Sequence, residues 1–224
     1  MDELTHGGSG RVSSVVFDVG ETLLDDTREW GRWADWLGVP RHTFSAVLGA
    51  VTANGRNNAE TFNYFRSDFD LVAERQRREQ SGFGEEIADE DLYPDVRSAL
   101  AALRRAGLWV GIAGNQTAKA AALLDQLGLP VDAIATSGEW GVAKPDGEFF
   151  RRVIARASGT ASEIVYVGDH PENDLYPAKA AGMRAALIRR GPWGHLWADD
   201  PRVAESADWI IDSLDELPRV LAAE

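Results

Sequence analysis

The sequence predicts an α/β domain with a parallel sheet covered by helices on both faces and a helical insert after the first strand. Two observations carry this prediction. Short β-branched runs alternate with amphipathic helical stretches after Pro94, the pattern of strand–helix–strand units. Between the first such run and Pro94 the alternation is broken by a segment whose aromatic residues recur at three- to four-residue spacing, which is helical periodicity.

Val12–Phe17 (VSSVVF) reads as a buried parallel strand ending at Asp18. In the segment that follows, Trp30, Trp33, Trp36 and Leu37 share one helix face, and Phe62, Phe65, Phe69 and Val72 share another. Loops are expected at Asn54–Asn58 and Ser81–Gly84. Beyond Pro94 the reading is helix 95–105 closed by Gly107, strand 108–113, helix 117–127 stopped at Gly128, strand 133–136 and helix 148–157. Then come strand 164–167, helix 174–181 stopped at Gly182, and strands 185–188 and 209–211. Residues 1–25 and 95–224 thus form the core and 26–94 the insert, which leaves from a strand end where ligands of open parallel sheets bind.

Composition narrows the function. The 224 residues include no cysteine, which excludes disulfides, thiolate metal sites and cysteine nucleophiles. A net charge of −13 with scattered Lys and Arg argues against a nucleic-acid partner. No apolar run approaches the roughly 18 residues of a membrane span. The segment MDELTHGGSGR lacks a signal-peptide pattern and reads as a disordered leader. The absence of cysteine fits an expected cytoplasmic location. The sequence does not set the oligomeric state.

Three polar clusters fall at carboxyl ends of expected strands: Asp18–Thr22, Gly114–Thr117 and Gly168–Asp174. Lys144 lies in a loop, GVAKP, between the third and fourth strands. Carboxylates, one ammonium and several amide or hydroxyl groups at one sheet edge suit a hard divalent cation beside an anionic substrate.

With FDVGETL (17–23), GVAKPDGEFF (141–150) and VGDHPENDLYPAKAAGM (167–183) in this order, the chain resembles the haloacid dehalogenase-like hydrolases. The resemblance runs from about Val12 to Leu217. The insert matches only in size and helical character. It implies a Rossmann-like three-layer core with a small helical cap, and an enzyme acting on a small phosphorylated metabolite. On that resemblance Asp18 is the nucleophile, forming an aspartyl-phosphate. Mg²⁺ is held by Asp18, the carbonyl of Gly20, Asp169 and Asp174. Lys144 pairs with Asp18 and the transferring group, and Thr22 steadies the loop.

Two positions depart from the family pattern. Gly20 stands where phosphatases of the family carry the aspartate that protonates the leaving alcohol, a contribution of about 3–5 kcal/mol to the barrier. Slow turnover on alkyl phosphates follows. Gly114 stands where the family binds the phosphoryl oxygen with Ser or Thr, so Asn115, Gln116 or Thr117 is expected to take that role, helped by helix N-terminal amides. Glu21, His170 and Glu172 are candidates for the missing proton carrier. A halide leaving group needs no proton, so a 2-haloacid dehalogenase is an alternative, and a non-catalytic binding protein is another.

Plainer readings exist for each residue. Asp18 and Asp174 are also turn or cap formers, and Lys144 alone reads as a surface lysine. The tryptophans read as the insert's packing face, with a lid over an apolar substrate as the other option. Arg189–Trp193 (RRGPW) reads as a solvated turn closed by Gly191–Pro192, with an anion-binding edge as the other option.

Overall fold

The computed structural model describes residues 11–223; the expected leader at 1–10 lies outside the described residues. Six strands, β1 (Ser14–Phe17), β2 (Trp109–Gly114), β3 (Ala133–Thr136), β4 (Ile164–Gly168), β5 (Arg184–Ile188) and β6 (Trp209–Ile211), form one sheet in the order β3-β2-β1-β4-β5-β6. Every pairing is parallel. The order reverses between β1 and β4, and such a switch opens a crevice at the carboxyl ends of the two strands. Phe17 is level with Ile112 on β2 and Val167 on β4. The residues after these three therefore emerge together at one edge.

Side chains alternate across the sheet. Val15 and Phe17 enter one core with Leu100, Leu103, Ile112, Val167 and Leu217, while Val16 enters the other with Phe149, Phe150, Tyr166 and Leu187. Ahead of β2 lie α1 (Thr27–Leu37), α2 (Arg41–Ala53) and α3 (Leu71–Gln80). The helices α4 (Val96–Arg105), α5 (Ala118–Gln126), α6 (Ser137–Trp140), α7 (Gly147–Arg156), α8 (Tyr176–Ala180), α9 (Gly191–Trp197), α10 (Pro201–Ser206) and α11 (Leu217–Ala222) connect and flank the strands. The Rossmann-like α/β expectation is met.

The segment carrying α1–α3 has its own aromatic core of Trp33, Ala34, Phe44 and Phe62. Trp33 meets Phe62 edge-on at 4.8 Å, and Phe62 stacks on Phe69 at 4.5 Å. Buried Arg78 lies 3.8 Å over the Trp33 ring and pairs with Glu29 at 2.7 Å.

Three expectations need correction. Phe62–Val72 is not one helix: Phe62 sits in a 3-10 turn (Asn58–Tyr64), Phe69 precedes α3, and Val72 is 76% exposed. The aromatics meet through a chain reversal, which periodicity does not register. Helix 174–181 starts earlier, as a wide turn over Pro171–Leu175 that runs into α8. RRGPW is no solvated turn. Arg190 is buried against Asp95 and lies over Tyr93, and Trp193 is buried in α9. Pro192 sits in the first turn of that helix, where its missing N–H costs nothing.

Candidate active site

Asp18 leaves the end of β1 with its amide donating to the Val167 carbonyl at 2.8 Å, so β4 fixes its direction. Lys144, buried, places Nζ 2.6 Å from Asp18 Oδ1 and 2.6 Å from Asp174 Oδ1. Asp174 Oδ2 accepts from the amide of His170 at 3.0 Å. One carboxylate oxygen each of Asp18, Asp169 and Asp174 lies within 4.8 Å of the others. Positions 18, 144, 169 and 174 thus converge at the switch point between β1 and β4.

The glycines at this edge are there because carboxylates approach them. A Cβ on Gly114 would stand 2.6 Å from Asp18 Oδ1 and 2.9 Å from a Val19 methyl. Serine or threonine at 114 would require the Asp18 carboxylate and the Val19 side chain to shift. Gly168 likewise leaves room for the Asp174 carboxylate.

Asn115 is used differently from the expectation. Its amide group donates to the Lys144 carbonyl at 3.0 Å, and its Oδ1 accepts from the Lys144 N–H at 2.8 Å. The side chain clamps the lysine backbone; it lines the cavity but both of its amide functions are engaged. Gln116 lines the same cavity, and its carbonyl accepts from Gly138 N and Ser137 Oγ. Thr117 caps α5 through Ala120 N and donates to Glu85. Thr22 is buried behind the loop. Its carbonyl accepts from Arg190 at 2.7 Å, while its hydroxyl has no partner among the described residues and does not line the cavity.

Charge is unbalanced here. Burial raises Asp18 to about 6 against the pull of Lys144, and burial with Asp174 and Asp18 nearby holds Asp169 well above the carboxylate range. Lys144, although buried, is held well above its ordinary value by Asp174 and Asp18. The one ammonium serves two of the three carboxylates, and Asp169 has no cationic partner among the described residues. Such a set fits a divalent cation.

The remaining acids sort by contact. Glu21, with backbone φ of +52°, is turned to Tyr93, whose hydroxyl donates to it at 2.7 Å; burial raises it to about 7. His170 is pushed by burial and Lys144 down to about 4, so its ring is neutral. Nδ1 accepts from the amides of Glu172 and Asn173, and the ring stacks on Trp193 at 3.7 Å. Those contacts make His170 a capping residue.

Sequence reading missed Asp26. A Cβ on Gly20 would lie 2.6 Å from Asp26 Oδ2, so this half-buried carboxylate fills the space Gly20 leaves. Burial, with Glu21 and Asp18 nearby, holds it well above the carboxylate range. The available signal was a pair of aspartates before a helix that needs one cap.

Over these groups lies a cavity of about 540 Å³, lined on the sheet side by Asp18, Gly20, Lys144 and Asp169 and on the α1–α3 side by Trp30, Trp33, Arg75 and Arg78. The tryptophans both pack the segment and wall the cavity.

The model of the haloacid dehalogenase-like hydrolase family matches residues 12–182, which include all of these groups at the sheet edge. The chain belongs to the haloacid dehalogenase-like hydrolases. Among relatives of this hydrolase, it is similar to a glyceraldehyde 3-phosphate phosphatase of Methanocaldococcus jannaschii, 37% identical over 56% of this chain and 54% of that one. A phosphoserine phosphatase of Thermus thermophilus is 31% identical over 64% of this chain and 57% of the relative. The chain therefore spans about half the length of the first curated relatives it matches. The fold is that of the HAD-hydrolase YfnB from Bacillus subtilis, with a TM-score of 0.69 at 19% identity over 95% of this chain and 99% of the other.

Proposed function

We propose that the chain is a Mg²⁺-dependent phosphatase for a small phosphorylated metabolite, working through an aspartyl-phosphate at Asp18, with residues 26–94 as its cap. The observation that carries this reading is the Asp18 carboxylate held 2.6 Å from the buried Lys144 ammonium at the floor of the cavity. A volume of about 540 Å³ suits a metabolite-sized ligand. The phosphatase names of the relatives agree with it.

Asp18, Asp169 and the Gly20 carbonyl would hold the metal, with Asp174 as a further oxygen donor that also anchors Lys144. When bound, Mg²⁺ would supply positive charge to offset the approaching phosphoryl anion. Lys144 orients the Asp18 oxygen and adds a second cation beside it. Asn115 keeps Lys144 in place through two backbone contacts. The helical segment walls the cavity from above. Among the described residues, no helix is long and apolar enough to cross a membrane.

The test is phosphate release from a panel of phosphorylated metabolites, with Mg²⁺ and with chelator. Release should need the metal and should vanish in Asp18→Asn. Release unaffected by that substitution, or no release from any phosphate ester, sinks the reading. Halide release from 2-haloacids in chelator would favour the dehalogenase alternative instead.

A further inference from the structure

The family position for the leaving-group acid is empty in this chain, since residue 20 is glycine. The space is not. Asp26 Oδ2 lies where the side chain of residue 20 would begin, 2.6 Å from the Cβ site.

A structural role does not account for Asp26. It stands at the N-cap of α1, yet its side chain makes no capping hydrogen bond. Its neighbour closes the turn before the helix instead: Asp25 Oδ1 accepts from Thr27 N at 2.8 Å. An aspartate at such a position ordinarily accepts from the second or third helical amide. Asp26 has given up that contact and lines the cavity, with no hydrogen-bond or ion-pair partner among the described residues. Its charged neighbours are carboxylates: Glu21, Asp18, Glu29 and Asp25. Among the described residues no arginine or lysine forms an ion pair with it. The other acids at the mouth are engaged, Glu21 with Tyr93, Glu29 with Arg78 and Glu85 with Thr117.

We propose that Asp26 is the general acid and base of this enzyme, supplied from the first turn of the helical segment in place of the residue missing at 20. The proposal rests on the phosphatase reading. In the first half-reaction an Asp18 oxygen bonds to phosphorus and the bond from phosphorus to the ester oxygen breaks. The Asp26 carboxyl proton passes to that leaving oxygen, releasing the alcohol. In the second half-reaction the Asp26 carboxylate takes a proton from water as the water oxygen bonds to phosphorus. The bond from phosphorus to Asp18 breaks, phosphate leaves, and Asp26 is protonated again.

The experiment is rapid-mix kinetics of wild type, Asp26→Asn and the double variant Gly20→Asp/Asp26→Ala, using an alkyl phosphate and p-nitrophenyl phosphate with Mg²⁺. Nitrophenolate leaves without a proton, so Asp26→Asn should release about one equivalent in a burst at a rate within about threefold of wild type. Slow turnover should follow, because water activation is lost. With the alkyl phosphate no burst should appear, and turnover should fall roughly 10²–10⁴-fold. The double variant puts a carboxylate back into the same space, with no positive φ at residue 20 to prevent it. It should regain at least tenfold of the lost alkyl-phosphate activity. Equal losses in the first half-reaction for both esters, or no loss, overturn the assignment of Asp26 and leave the phosphatase reading intact. A wild-type enzyme that releases nothing from either ester removes the phosphatase reading and this one together.

Discussion

In the helical segment the inward-facing carboxylates meet arginines, whereas at the end of β1 carboxylates crowd around one lysine. Glu74 accepts from Trp36 and pairs with Arg66 and Arg77; Asp91 pairs with Arg28 at 2.5 Å; Glu29 pairs with Arg78. At the sheet edge Asp18 and Asp174 share Lys144, while Asp169 and Asp26 have no ion-pair partner among the described residues. The first arrangement is what folding alone would select. The second costs stability in the free protein and is retained where a ligand relieves it. Acids paired with arginines mark architecture, and acids crowded around one lysine mark the site.

The sharpest way to break this comparison is to remove the lysine. Lys144→Met would leave Asp18 and Asp174 buried without a counter-charge, and breaking a buried pair this way costs about 3–5 kcal/mol. A chain of this size should then melt about 10 °C lower by calorimetry. An unchanged melting temperature would mean that the crowding is not real.

A smaller effect of opposite sign is expected at Asp169. Asp169→Asn removes an unpaired buried charge and should stabilise the metal-free protein by about 1 kcal/mol. Wild type should gain stability from saturating Mg²⁺, by about 2.7 kcal/mol at one hundred times the dissociation constant. The variant should lose that gain. Melting curves with and without Mg²⁺ measure both halves, and a variant that still responds to the metal would remove Asp169 from the ligand set.

The smallest effect, and the one that separates the two regions, is in pH. Asp18 at about 6 and Glu21 at about 7 are raised from 3.8 and 4.5. The folded state keeps their protons longer than the unfolded chain does. Their contribution to stability is complete below about pH 4 and is lost as pH rises through 6–7. Glu74 and Asp91 are held low by their hydrogen-bond and arginine partners despite burial. Their contribution is complete above about pH 4.5 and is lost as pH falls through the folded-state values. Metal-free protein should therefore lose site stability between pH 4 and 7 while gaining nothing in the segment. Tryptophan fluorescence from Trp30, Trp33 and Trp36 should report loosening of the segment only in acid. Parallel pH profiles for the two regions would dissolve the distinction.

The strand ends were legible because each polar cluster closes a short apolar run: Asp18 after VSSVVF, Gly114 after LWVGIA, Asp169 after IVYVG. Lys144 was legible through its loop motif. Asn115 was found but assigned to substrate, because a clamp on a backbone 29 residues away has no local signature. Arg190 and Trp193 were read as a turn from Gly191–Pro192, and their burial against Asp95 and His170 could not be seen without the partners.

By itself the sequence determined the parallel α/β core, the helical segment after β1 and the group of Asp18, Lys144, Asp169 and Asp174 that the sheet edge brings together. Periodicity and strand-end chemistry are local properties, carried within a few residues. Only the tertiary structure decided that Gly20 and Gly114 are shaped by the carboxylates beside them, and that Asp26 reaches into the space at residue 20. Those facts depend on where a helix entering from the segment meets a loop leaving the sheet, and close approach between separate elements leaves no period in the chain.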